Sequence, residues 1–95
     1  MSKGYWIVRV TVNNDENYPG YLSAAKPAFE KYGARFKVRG GRYDCKEGSS
    51  RGRNVVVEFD NFDTAQACYD SPEYSAAKAI RQANAETDFV IVEGP

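Results

Sequence analysis

Between Gly4 and Val12 the chain alternates with a period of two. Trp6, Val8, Val10 and Val12 fall on one side, and Tyr5, Ile7, Arg9 and Thr11 on the other. β-Branched and aromatic residues in that alternation predict a strand with a core on one face. The NNDE that follows supplies turn and capping chemistry for a helix over 15–33. Tyr18, Leu22, Ala25, Phe29 and Tyr32 recur at helical spacing, Gly33 is a natural stop, and Pro19 fits only near the first turn.

A second strand is predicted over 35–46, RFKVRGGRYDCK. Phe36 and Val38 share a face there, while Tyr43 and Cys45 are one step out of phase. One extra residue at Gly40-Gly41 brings all four to the same side, which predicts a glycine bulge bending a charged edge strand. The third strand, RNVVVEFD at 53–60, sets Val55, Val57 and Phe59 against Val56 and Glu58. Asp60 or Asn61 then caps a helical region in which Phe62, Ala65, Cys68 and Tyr69 share a face. DSPEY interrupts and restarts it, with Ser71 as cap and Pro72 at the first helical position. Tyr74, Ala77 and Ile80 continue the stripe with Arg81 and Gln82 beside it, and TDFVIVEG at 87–94 closes the chain as a strand.

The order β-α-β-β-α-β predicts one α+β domain over residues 1–95. Its expected form is ferredoxin-like: a four-stranded antiparallel sheet with two helices on one face, strands one and three being central, parallel neighbours. The face away from the helices should then be polar, yet Phe89–Val92 is apolar on both sides, and Tyr5, Ile7 and Val56 join it. A second copy, sheet against sheet, is the economical cover, so a homodimer is expected. The same phase sets Arg9 and Glu58 on that covered face, near Asn54. Two roles are open to them: an ion pair giving register to the interface, or a pocket in which Arg9 holds the anion of a small acid or enol and Glu58 is the base.

Composition removes several chemistries. Histidine is absent, and with it the usual general base, the commonest metal ligand and the activator of a nucleophilic Ser or Cys. The G-x-S-x-G at Gly48–Gly52 precedes a strand rather than a helix, so Ser50 is a loop serine. Cys45 and Cys68 lack metal-ligand spacing; together with a start that has no signal-peptide pattern, they read as buried, reduced thiols of a cytoplasmic protein. No metal, no cofactor and no membrane span is expected.

The net charge is zero, but residues 35–53 carry seven bases against two acids, and residues from 54 onward two bases against eight acids. That asymmetry fits a nucleic-acid surface, a guarded edge strand or a contact between subunits. RNA-recognition motifs share the element order, but their stacking aromatics are missing where this chain has Arg53, Val55 and Glu58, so no nucleic-acid partner is expected.

With its strands placed, the chain resembles the small bacterial proteins of the domain of unknown function 1330 family. The likeness runs through KYGARFKVRGGR at 31–42, NVVVEF at 54–59, ACYDSPEYSAAKAIRQ at 67–82 and the closing FVIVEG. The resemblance implies a dimeric α+β barrel, a fold shared with small monooxygenases, muconolactone-isomerase-like enzymes and stress-responsive barrel proteins. It implies no reaction. Among the matching positions, Tyr74 and Arg81 lie seven residues apart, on nearly the same helix face. They either line a pocket for a carboxylate or are structural, Tyr74 in the core and Arg81 paired with Glu86, Asp88 or Glu93. The expected function is binding of a small acidic or aromatic molecule in a pocket of each subunit, lined by Arg9, Arg39, Glu58, Tyr74 and Arg81, with chemistry like that of cofactor-free oxygenases or isomerases. The alternative is a non-catalytic structural or sensing dimer.

Overall fold

A computed structural model describes residues 2–95. The chain runs β1 (Gly4–Val12), α1 (Tyr18–Tyr32), β2 (Arg35–Arg39), β3 (Arg53–Phe59), α2 (Phe62–Asp70), α3 (Pro72–Asn84) and β4 (Ala85–Glu93). One sheet holds the strands in the order β2-β3-β1-β4, every pair antiparallel. This is the expected ferredoxin-like arrangement with one correction: β1 and β3 are central but antiparallel. The crossover through α1 makes β1 and β2 parallel and leaves a slot between them. β3 returns from β2 into that slot and opposes both.

Local chemistry sets the helix ends. Asn14 Oδ1 accepts from the amides of Glu16 and Asn17 in a turn, and α1 begins only at Tyr18, with Pro19 in its first turn. Gly33, at φ 67°, ends α1 in the left-handed conformation as Ala34 N–H returns to Phe29 O. The second helical region is two helices. Asn61 caps α2 by accepting from Thr64 N at 2.7 Å. At the break, Ser71 Oγ accepts from Tyr74 N at 3.1 Å while donating to Cys68 O at 2.7 Å, so one hydroxyl ends α2 and starts α3.

The edge strand departs from expectation. β2 stops at Arg39, and its bulge lies at Lys37, between the pairs Phe36↔Val57 and Val38↔Val56. The extra residue reverses the phase: Phe36 faces the helices, Val38 the open side, and Arg39, opposite buried Val55, the helices again. Gly40 still donates to Asn54 O, but at φ 70° it turns the chain away. Residues 41–46 have no strand to pair with, and Tyr43 and Cys45 are exposed rather than buried.

The core lies between the helices and the inner sheet face, around Trp6, which is 1 % exposed. Its ring lies 4.9–6.2 Å from those of Phe29, Phe59, Tyr69, Tyr74 and Phe89, and its indole N–H donates to Ala65 O at 3.0 Å. Tyr21 and Ala28 of α1 are buried as well, beyond the stripe read from spacing. Cys68 is fully buried, and burial pushes its thiol up to about 12, so it is a core residue without nucleophilic character. No helix among the described residues is long and apolar enough to cross a membrane.

Candidate functional site

Both faces of the sheet carry polar groups, and they serve different ends. On the open face the register sets side chains in cross-strand rows. The middle row, Val38–Val56–Ile7–Val90, is apolar across all four strands. Ile7, Val38, Val90 and Val92 are exposed, Val90 by 57 %. On one side of it run Arg35, Glu58 and Tyr5, where Glu58 accepts from Tyr5 Oη at 2.9 Å and Arg35 Nε at 3.0 Å. On the other run Asn54, Arg9 and Asp88, where Asp88 takes Arg9 at 3.1 Å and Arg51 at 2.9 Å.

Arg9 and Glu58 therefore share a face but do not pair. Tyr5 is the residue opposite Glu58, and Arg9 is four residues further along β1, roughly 13 Å at strand rise. Arg9 is engaged by Asp88, and Glu58 by Tyr5 and Arg35, so neither residue is poised as an anion holder or a base. The hydrogen bond from Tyr5, and then that from Arg35, hold the Glu58 carboxyl below the ordinary glutamate range. A lowered pKa in the folded chain gives stability that is complete above the unfolded value, about 4.3, and lost as the pH falls through the folded one. The difference in melting temperature between the wild type and Glu58→Gln should be constant near neutrality and shrink below about pH 4. A difference that grows on acidification would contradict this.

The other site lies inside. Tyr18, Tyr21, Arg53 and Arg81 line a cavity between helices and sheet, with the apolar Trp6, Val8, Val10, Leu22, Phe29, Phe36, Val55 and Val57 around them. About 20 Å³ of it is free to a water-sized sphere, room for one water. Arg81 is 3 % exposed and rises from the last turn of α3. Its Nη1 donates to Tyr74 Oη at 2.9 Å, and Tyr74 Oη shares a 2.7 Å hydrogen bond with Tyr21 Oη. The guanidinium carbon lies 5.2 Å from the Phe89 ring centroid.

Among the described residues no Asp or Glu lies within salt-bridge distance of Arg81; the expected partners Glu86 and Asp88 go to Arg51 and Arg9 instead. No protein group accepts from its Nε, which is buried. Burial raises the phenols of Tyr18, Tyr21 and Tyr74, so all three are neutral donors near pH 7. Two arginines and two tyrosines thus line a space that no carboxylate lines, and Tyr74 is bonded to both Tyr21 and Arg81 of that lining.

Of the residues singled out from sequence, Tyr74 and Arg81 meet here, while Arg9 and Glu58 lie on the opposite face. Arg39 is outside: it stacks on Phe36 at 4.3 Å and lines a surface groove with Leu22, Lys26, Phe29, Glu30 and Ala34. That groove and the inner cavity share Leu22, Phe29 and Phe36 as a common, partly buried wall. Tyr18, Tyr21 and Arg53 were missed as site residues. Parity could have found Arg53, since it shares the odd positions of Val55, Val57 and Phe59. Among the described residues no cluster of three or more His, Cys, Asp or Glu side chains could hold a metal ion.

Residues 3–95 match the sequence pattern of the domain of unknown function (DUF1330) family. The chain belongs to that family. No curated protein matches it. Among solved structures, the DUF1330 chain is similar to a protein of unknown function from Rhodopseudomonas palustris, with 17 % identity, 99 % of this chain and 82 % of that one covered, and a TM-score of 0.78. It is similar to SnoaB, a cofactor-independent oxygenase from Streptomyces nogalater, at 9 % identity, 97 % and 92 % coverage and a TM-score of 0.63. A dimeric protein of unknown function and ferredoxin-like fold from Bacteroides fragilis matches at 20 % identity, 96 % and 95 % coverage and a TM-score of 0.57. At such identities the DUF1330 chain shares a fold with these proteins.

Proposed function

We propose that this DUF1330 protein binds a small organic acid in the cavity between sheet and helices, and that it does so as a homodimer closed over the bare sheet face into an α+β barrel. The observation that carries the first half is Arg81. A guanidinium 97 % removed from solvent, with no carboxylate within reach and a buried Nε without an acceptor, is a costly arrangement for a core. A bound anion would remove that cost. The dimeric Bacteroides fragilis neighbour and the apolar row on the open face support the second half.

The groups at the cavity bind and stabilise negative charge; none of them is a base. Tyrosines pushed up by burial do not take protons near neutrality, and neither a carboxylate nor a histidine lines the space. Chemistry here would therefore rest on stabilising an enolate or phenolate of the ligand itself. The likeness to a cofactor-independent oxygenase is in keeping with that. A ligand larger than one water enters by turning Leu22, Phe29 and Phe36, beyond which the surface groove begins.

Melting curves with small aromatic and keto acids, beside the matching amides, test this. A ligand present at a hundredfold its Kd stabilises by about 2.7 kcal/mol, a rise of several degrees for a domain of this size. Acids should give that rise, and amides none. Arg81→Met should abolish the response while leaving the ligand-free melting temperature unchanged or higher, because an apolar side chain of similar volume replaces an unpaired buried cation. A clear fall in stability in Arg81→Met, with no acid acting on the wild type, would make Arg81 a structural group and favour the non-catalytic dimer.

A further inference from the structure

Arg81 is not the only guanidinium in the cavity wall. Arg53, the first residue of β3, lines the same space, and its Nε is likewise buried without a protein acceptor. Around the open sheet face, Arg9, Arg35 and Arg51 all reach carboxylates. Arg53 and Arg81 have none within salt-bridge distance among the described residues. Two cations therefore line one acid-free, largely apolar space.

Arg53 also stands at a second opening of the cavity, apart from the Leu22, Phe29 and Phe36 wall. With Val10 it is common to the inner cavity and to an open groove formed by Thr11, Val12 and Gly52. Its guanidinium lies 5.9 Å from the Tyr18 ring centroid and is seated against Gly40. A Cβ at Gly40 would fall 2.5 Å from Arg53 Nη1 and 3.1 Å from Cζ, so the glycine that turns the chain out of β2 also leaves the space this head fills.

We infer that the cavity takes a ligand with two acidic groups, one held by Arg81 at the inner end and the other by Arg53 at this second opening. This rests on the anion-binding reading above and deepens it. A monoacid neutralises one guanidinium and leaves its neighbour unpaired, whereas a diacid satisfies both, each through the planar fork that matches a carboxylate. The ligand class is accordingly a short dicarboxylate or an oxo-diacid.

Trp6 is the only tryptophan of the chain and lines the cavity, so its fluorescence reports occupancy. Malonate, succinate and glutarate would be titrated against propionate, butyrate and valerate at constant ionic strength. A second charge-assisted contact corresponds to roughly tenfold to a hundredfold tighter binding of each diacid than of its monoacid. In Arg53→Met that ratio should fall to near one, because the diacids lose the second contact and fall to the affinity of the monoacids. Arg81→Met should lose both. A wild-type ratio near one, measured without any variant, overturns the inference, and so does a ratio that survives Arg53→Met. If monoacids bind through Arg81 with no preference for diacids, only the second contact falls. If neither series perturbs Trp6, the anion pocket falls and the diacid reading with it.

Discussion

Trp6→Ala should cost about 3–5 kcal/mol of folding stability. A chain of 95 residues has about 5–14 kcal/mol in total, so this one change takes a large share of it. The reason is position. Trp6 sits on a central strand with its ring edge-on or tilted to five others, two of them on the helices α2 and α3 and one on α1. Its N–H also satisfies the Ala65 carbonyl inside α2. Removing the indole leaves a void between sheet and helices and takes a second donor from the Ala65 carbonyl, and no single neighbour can fill both losses. Trp6→Phe retains part of the volume and should cost less. Urea unfolding gives the values. A loss under about 1 kcal/mol for the alanine variant would mean that helices and sheet are held together elsewhere.

Val90→Asp should turn the proposed homodimer into a monomer while sparing the fold. Val90 is 57 % exposed in the single chain, so a carboxylate there meets water as long as the chain stands alone. In a two-fold dimer closed on the apolar row, each aspartate would be buried without a partner. An uncompensated buried charge costs several kcal/mol, which corresponds to a rise in the dissociation constant of about a thousandfold or more. The flanking rows cannot rescue it, since Arg9 and Arg35 are already engaged with Asp88 and Glu58. Sedimentation at micromolar concentration, with circular dichroism to check folding, reads both effects. A dimeric Val90→Asp would place the interface away from this row, and a monomeric wild type would remove the dimer altogether. The anion cavity stands in either event, because the residues that line it come from one chain.

The period-two runs at Gly4–Val12 and Arg53–Phe59 and the helical stripes around them determined the element order, the inner face of β1 and β3, and the apolar character of the outer face. These were legible because burial imposes its period on neighbouring residues whatever the rest of the chain does. Ser71 and Asn61 could be read as caps for a similar reason: a cap satisfies amides two or three residues away. The bulge was misplaced because phase alone requires one extra residue in β2 without saying where. The register against β3 put it at Lys37 rather than Gly40-Gly41, sending Val38 to the open face and Arg39 to the helix side. The Arg9–Glu58 pair failed for want of the same information, since sharing a face says nothing about rung. Tyr74 and Arg81 could be recognised as a pair from their seven-residue spacing. That Arg81 is sealed in without an acid, with Arg53 facing the same space, was decided only by the tertiary structure, because a charge's surroundings are set by which distant acids the sheet register delivers to it.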